Sequence, residues 1–383
     1  MFNFNQKTAS VIKYIADFGQ MKGISVYFVG GIVRDMLMGI EIKDIDILIE
    51  GSAIDFAENF YENFKDKLDI KIKSVHKSFN TAKTVIDGTE IDFASTREEE
   101  YPKSGCLPVV KNIGCDIKSD LKRRDFTVNA IAARILSENG CLKYEIIDEF
   151  NGCDDIRLKE LKILHKNSYI DDPTRILRGI DFNLRFGFDF SSDDKKLIDE
   201  YLNAPNREGL SIDRVKLTLK KLFSDSIRAK KAYKIILENK IYKIWTDAPC
   251  FKIEWAERLS DAVDIFGVKP CDLFLGAIFN CDKYTEKYQG KTNYELWNFF
   301  KLYSNIDLAL YYAIFNEDCV KFYFEKLKNV KPLIKGGDLI NLGFNEGKII
   351  GSILDDLQKE KLNNPLKFKN RQDEINFALK FLP

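Results

Sequence analysis

The sequence predicts an α+β fold: a mixed sheet with helices in residues 1–150, followed by helices through residue 383. Two observations predict it. Apolar and polar residues alternate with a period of two in KDIDILIE, TAKTVI and TEIDFAS, all before residue 150. Beyond Asn151 the apolar residues recur instead at three- and four-residue spacing, as in DPTRILRGIDFNLRF. At 383 residues the chain is long enough for two to four compact units.

Bulk properties narrow the class. Hydrophobic residues make up 45% and charged residues 31%, ordinary for a globular protein. Lys+Arg and Asp+Glu balance at 59 each, so there is no overall basic excess of the kind many nucleic-acid binders show. No apolar run approaches the ~20 residues of a membrane span. The N-terminus lacks the basic-then-apolar plan of a signal peptide. The 8 cysteines occur singly, without CxxC, and only 2 histidines are present, which argues against a zinc site. Isolated cysteines in such a chain read as reduced thiols in the cytoplasm.

In order, Val11, Ile12, Ile15 and Phe18 predict a helix over residues 5–20. Val26–Glu50 then reads as a strand, a Gly30–Gly31 turn, a short helix carrying Arg34 and Asp35, and a second strand. In that strand Asp44, Asp46, Leu48 and Glu50 alternate with Ile45, Ile47 and Ile49, so both aspartates share a face. Residues i and i+2 lie roughly 6.5 Å apart along a strand. That suits carboxylates converging on two divalent ions about 3.5–4 Å apart, as in displacement at phosphorus. Gly30–Gly31 can bring backbone N–H groups against a phosphate at a helix N-terminus.

Ala53–Asp66 reads as an amphipathic helix, and Asp87–Gly88 joins TAKTVI and TEIDFAS into a hairpin. Opposite Ile91 and Phe93 stands Asp92, either a third acidic residue facing Asp44 and Asp46 or a solvent-facing one. Residues 96–120, rich in Pro, Gly and charge, read as a long loop. DLKRRDFTVNAIAA (Asp120–Ala133) reads as leading into a helix that buries Val128, Ile131 and Ala132. Tyr144–Asp148 is the last predicted strand, with a domain boundary near residue 150. In the next helix Asp172 is a good N-cap and Pro173 a good first residue. Ile176, Leu177, Ile180 and Leu184 form its apolar stripe, and Arg175, Arg178 and Arg185 lie on another face. Aspartate and arginine together offer an acceptor and paired donors, enough to read a base edge. From residue 226 to 330 the aromatic, lysine-rich sequence has helical spacing, and its aromatics read as bundle core.

Three of these stretches carry a resemblance. GGIVRDMLMG followed by DID, then RRDFTVNA, then DDPTRILRGIDF are similar to the signature motifs of the class II tRNA CCA-adding and bacterial poly(A) polymerase family. SIDRV, with Asp213 for the usual glutamate, and GGDLINLGFNEGKIIGSIL resemble later family segments, the first making Arg214 a structural support. The resemblance implies a polymerase-beta-like nucleotidyltransferase head (1–150), an all-α neck with a nucleobase-template helix (151–225), and a helical body and tail that bind tRNA (226–383). It implies nucleotidyl transfer with two Mg²⁺ ions held by Asp44 and Asp46. Nucleotide contacts carry over to Gly30, Gly31, Arg34, Arg123, Arg124, Asp125, Asn129, Asp172, Arg175 and Arg178. Two departures stand out: Asp171 replaces the commoner glutamate, and Asp181 stands where many members have arginine. The implied partners are a tRNA 3′ end, CTP and ATP, with neither DNA nor a membrane, in the cytoplasm. CCA addition is the leading product. Addition of A alone, poly(A) synthesis and a catalytically inactive RNA-binding protein are the alternatives. The loop at 96–120, uncut relative to CC-adding members, and a stand-alone chain favour CCA. The forms TREEEYPKSGCLP and LHKNSYIDDPTRILR look somewhat like A-adding members.

Overall fold

A computed structural model describes residues 4–42, 44–205 and 210–382. Gly209, the first residue of the stretch GLSIDRVKLTLKKLF that contains SIDRV, lies outside the described residues. The chain forms two compact units: Met1–Thr218 with Lys240–Trp245, and Leu219–Asn239 with Thr246–Pro383.

The first unit is built on a seven-stranded mixed sheet. Its strands are β1 (Val26–Val29), β2 (Asp46–Ile49), β3 (Ile70–His76), β4 (Thr81–Ile86), β5 (Thr89–Ser95), β8 (Ala132–Glu138) and β9 (Cys141–Ile147). They lie in the order β3-β4-β5-β2-β1-β8-β9. Among the described residues of this sheet, only β2 and β5 pair in parallel. Helices α1 (Gln6–Lys22) and α3 (Ala53–Phe64) cover one face. There Val11, Ile15, Phe18, Phe56 and Phe60 pack on Phe28, Ile47, Ile49 and Phe93. The opposite face has a smaller cluster of Tyr27, Val29, Leu48, Leu121, Ala130 and Ala132. Leu48, on the aspartate side of β2, is therefore covered, and only the start of that strand opens to solvent.

Two segments differ from the sequence expectation. Residues 96–120 are not a structureless loop. β6 (Arg97–Glu100) and β7 (Val109–Ile113) pair as a separate antiparallel ribbon, and α4 (Ile117–Lys122) follows. The expected helix over Val128, Ile131 and Ala132 is a single 3-10 turn (Thr127–Asn129) leading into β8, which pairs with β1. Ile131, Ala132 and Ala133 are fully buried. A central strand covered on both faces shows no alternation, so its apolar run reads equally as helix.

After α2 (Gly31–Leu37), already passed in the turn region, the unit continues through α5 (Gly152–Leu158), β10 (Glu160–Leu161), α6 (Ser168–Asp171), α7 (Thr174–Phe186), β11 (Asp189–Phe190) and α8 (Ser192–Asn203). Pro173 is the N-cap of α7, and Asp172, one residue earlier, accepts from the Thr174 N–H at 3.1 Å. Next comes α9 (Ile212–Leu222), within which the boundary between the units falls.

The second unit is helical: α10 (Ser226–Glu238), α11 (Trp255–Phe266), α12 (Pro270–Phe279), α13 (Asn293–Phe300), α14 (Asn305–Phe315), α15 (Asp318–Phe322), α16 (Gly336–Asn341), α17 (Lys348–Asn363) and α18 (Arg371–Ala378). Many of its aromatics are core: Phe300, Tyr311 and Tyr323 are essentially inaccessible and pack together, while Phe322 is exposed. Gly336–Gly337 start α16 rather than forming a free turn. Not all thiols are free: Cys250 and Cys281 form a disulfide across 31 residues, a pairing that spacing alone did not suggest.

Candidate active site

Asp46 opens β2, and parallel pairing sets it opposite Asp92 on β5. Neighbouring strands lie about 4.8 Å apart, so in-register side chains on one face meet. Asp92 thus faces the same cleft as Asp46 and also pairs with Lys83 at 3.0 Å. Asp44, exposed, lies two residues before Asp46. Asp46 is exposed and lines this cleft with Asp44 and Asp92. Desolvation within the cleft, then the negative charges of Asp92 and Asp44, push its carboxyl above the usual range.

Among the described residues, no three His, Cys, Asp or Glu side chains are gathered to hold a metal ion by themselves. The donor set nonetheless fits one kind of cation. It consists of carboxylate oxygens that repel one another, and Mg²⁺ usually takes one or two carboxylates plus substrate phosphates rather than a full protein cage.

A cleft of about 320 Å³ joins Asp46 and Asp92 to Gly31, Arg97, Arg123 and Arg124. Gly30 explains how the RRDFTVNA stretch comes so close. Its φ is +69°, which favours glycine, and a Cβ there would lie 3.0 Å from Arg124 Nη1. Its N–H donates to the Ile131 carbonyl at 3.1 Å, so it is committed to the chain rather than to a phosphate. Arg34 also departs from the expectation of a phosphate ligand. It is buried, donating through Nε and Nη2 to Asp35 at 2.9 and 2.6 Å and through Nη1 to Asn129 Oδ1 at 2.6 Å. Its guanidinium rests on the rings of Phe182 and Phe186 from α7.

Arg123 and Arg124 converge on one carboxylate that the motif reading passed over. Asp120 is fully buried; its Oδ1 accepts from Arg123 Nε and Nη2 at 3.0 and 2.8 Å. Its Oδ2 accepts from Arg124 Nε and Nη2 at 3.3 and 2.8 Å. Burial pushes the Asp120 carboxyl up, but the two guanidiniums outweigh it and hold it below its ordinary value. The available signal was spacing: Asp120 precedes the arginines by three and four residues, one helical turn.

Asp125 is held equally firmly. Oδ1 accepts from Asn129 Nδ2 and the Phe126 N–H, both at 2.9 Å, and Oδ2 pairs with Arg178 at 2.6 Å. Burial raises its carboxyl, and Arg178, Asn129 and the Phe126 amide more than reverse that shift. Arg34, Asn129, Asp125 and Arg178 therefore form one continuous chain of contacts from α2 to α7.

On α7, Arg175 is 3% exposed, not on an open face. It donates to Ser168 Oγ, to the Arg123 carbonyl at 3.0 Å and to the Tyr101 hydroxyl at 3.3 Å. Arg178 is exposed apart from its bond to Asp125. Asp181 faces Arg185 at 3.5 Å, so the charge at this departure from the family pattern is met within the helix. Asp172 Oδ1 accepts from Arg214 Nη2 at 2.9 Å. Arg214 also donates to the carbonyls of Gly105 and Cys106, while the Gly105 N–H reaches the Asp171 carbonyl at 3.1 Å. The segment between β6 and β7 is thereby tied to α6, α7 and α9. Tyr101 and Glu99 came from the stretch read as loop, and no motif pointed to them.

Residues 26–162 match the poly A polymerase head domain family. The A-adding tRNA nucleotidyltransferase of Aquifex aeolicus is 29% identical over 89% of this chain and 45% of its own length. The chain spans less than half the length of the first curated A-adding relatives it matches. The structure of a CCA-adding enzyme with CTP superposes with a TM-score of 0.78 at 25% identity, covering 98% of this chain and 94% of that one. A Thermotoga maritima CCA-adding enzyme complexed with tRNA gives 0.74 at 25% identity, covering 99% and 97%.

Proposed function

Because this chain belongs to the class II tRNA nucleotidyltransferase and bacterial poly(A) polymerase family, we propose that it adds CCA to tRNA 3′ ends from CTP and ATP, without a nucleic-acid template and with release of pyrophosphate. The observation that carries this reading is the single cleft in which Asp46 and Asp92 stand beside Gly31, Arg123 and Arg124. Solved CCA-adding enzymes, with CTP, with ATP and with tRNA, align along nearly this whole chain and support it. The three-part division into head (1–150), neck (151–225) and body with tail (226–383) belongs to the same proposal, as does a cytoplasmic site of action, in keeping with tRNA-processing relatives.

Asp44 and Asp46 are the residues that would hold two Mg²⁺ ions. When bound, such ions acidify the attacking 3′-hydroxyl and offset charge on the triphosphate and departing pyrophosphate. Arg123 and Arg124 present guanidinium forks to phosphate oxygens, their spacing fixed from behind by Asp120. Asp125, ionised and oriented by Arg178 and Asn129, is the acceptor for ribose hydroxyls. Arg34 serves this arrangement as a positioning residue, through Asn129. Asp172 and Arg175 read the base, with Arg178 beside them. A guanidinium has five N–H groups, so the bonds of Arg175 to Ser168, Tyr101 and Arg123 hold its plane without using every donor.

A-addition is the second reading, favoured by the A-adding relatives, at 29%, 39% and 36% identity. One experiment separates the products. tRNA ending at the discriminator base, at C or at CC is offered CTP and ATP separately. CCA addition extends the first two with CTP and the third with ATP. Extension of the CC-ended tRNA alone, by one A, replaces the leading reading with A-addition, and long tails replace it with poly(A) synthesis. No incorporation on any primer overturns the enzyme reading.

A further inference from the structure

The cleft contains a third arginine that no motif assigns. Arg97 opens β6, and its backbone N–H donates at 3.1 Å to Asp120 Oδ1, the oxygen that also holds Arg123. Its Nε donates to Glu99 Oε1 at 2.7 Å, and Arg123 Nη1 reaches the same oxygen at 3.0 Å. The guanidinium lies 5.2 Å from the centre of the Phe79 ring, a second restraint on its plane. Arg97, Arg123 and Arg124 line one cleft with Asp46, Asp92 and Gly31.

The arrangement is layered by charge. The side chains of Asp120 and Glu99 are 0% and 5% exposed and lie behind. Those of Arg97, Arg123 and Arg124 are 16%, 16% and 18% exposed and lie in front. The lining also carries Lys83, Asp46 and Asp92, so the three arginines gather positive charge on one stretch of the cleft and not over the whole of it. Like charges gathered partly out of water are costly unless a counter-charge arrives. An anion with several oxygens, able to meet more than one fork at once, is the ligand that chemistry selects.

We propose that Arg97 is a third phosphate-binding arginine of this cleft, positioned by Glu99, and that it binds the pyrophosphate portion of the nucleoside triphosphate. The assignment rests on the nucleotidyl-transfer reading above. Its place beside Arg123 and Arg124 and across from Asp46 favours the nucleotide over the RNA backbone as the source of phosphate.

The test uses the full chain with Mg²⁺. Pyrophosphate binding is measured by calorimetry, and KM is measured separately for ATP and for tRNA ending in CC. Loss of one charge-assisted contact is worth about tenfold or more in affinity. R97Q is expected to weaken pyrophosphate and raise the ATP KM by that factor, leaving the tRNA KM within about twofold. R97K keeps the charge without the fork and is expected to fall between the two. A thermal unfolding midpoint shows whether R97Q is folded, and R97K carries the test if it is not. Wild-type pyrophosphate binding in folded R97Q, or in R97K where R97Q does not fold, overturns the assignment. So does a raised tRNA KM with unchanged pyrophosphate affinity, which would give Arg97 to the RNA backbone. Wild-type protein that binds neither ATP nor pyrophosphate overturns the nucleotidyl-transfer reading instead.

Discussion

Replacing Asp120 by asparagine removes the charge from which two active-site arginines hang. Four N–H bonds from Arg123 and Arg124 and one from the Arg97 backbone end on this carboxylate. Asparagine keeps an acceptor at one position but turns an NH₂ group toward the donors of the other arginine. It also leaves Arg97, Arg123 and Arg124 with Glu99 as the remaining carboxylate of the network. Removing one partner of a buried ion pair typically costs about 3–5 kcal/mol. In a unit of this size that lowers the unfolding midpoint by on the order of 10 °C. Thermal unfolding followed by circular dichroism, with KM for ATP in parallel, measures both effects. The pH dependence has a definite sign. Because folding lowers the Asp120 pKa, its contribution is complete above the unfolded value, about 3.9, and is lost as pH falls through the folded value. The stability gap between wild type and Asp120→Asn should therefore be constant from pH 7 to about 5 and close below about pH 4. A variant within about 1 kcal/mol of wild type at pH 7, with an unchanged ATP KM, would refute the idea that Asp120 organises Arg123 and Arg124.

Two further predictions concern the supports of the site. Arg214→Gln removes the anchor of Asp172 Oδ1 and of the Gly105 carbonyl, so the ratio of CTP to ATP incorporation should shift by about tenfold while pyrophosphate binding holds. An unchanged ratio in single-turnover assays rules out this positioning role. Gly152→Ala places a Cβ 2.3 Å from the Thr127 carbonyl oxygen, a backbone atom that cannot step aside. It should cost about 1–3 kcal/mol and loosen the turn that carries Asn129, and denaturant unfolding that matches wild type would contradict this.

Much of the first unit was readable because its signals are local. Asp46 and Ile47 alternate on one strand, Asp87–Gly88 forces a hairpin, and the spacing of Ile176, Leu177 and Ile180 fixes the buried side of α7. What escaped depends on partners distant in sequence. β8 lost its period because sheet neighbours and both faces bury it. The β6–β7 ribbon is charged and short, and Glu99 within it is held by Arg97 and by Arg123, 24 residues later. Arg34 packs on Phe182 and Phe186, far along the chain, so the motif that marked it as a nucleotide contact gave no sign of its burial. The Cys250–Cys281 pair is likewise made by the helical packing of the second unit.

The central claim is that carboxylates at the head of β2 organise nucleotidyl transfer. Its most direct test is Mg²⁺-dependent transfer of label from α-labelled ATP to tRNA ending in CC, by wild type and by Asp46→Asn. The account predicts transfer by wild type that chelation of Mg²⁺ abolishes. It predicts at least a thousandfold loss in Asp46→Asn, on the order of 4 kcal/mol of barrier, with the unfolding midpoint retained. Turnover in Asp46→Asn comparable to wild type would contradict it.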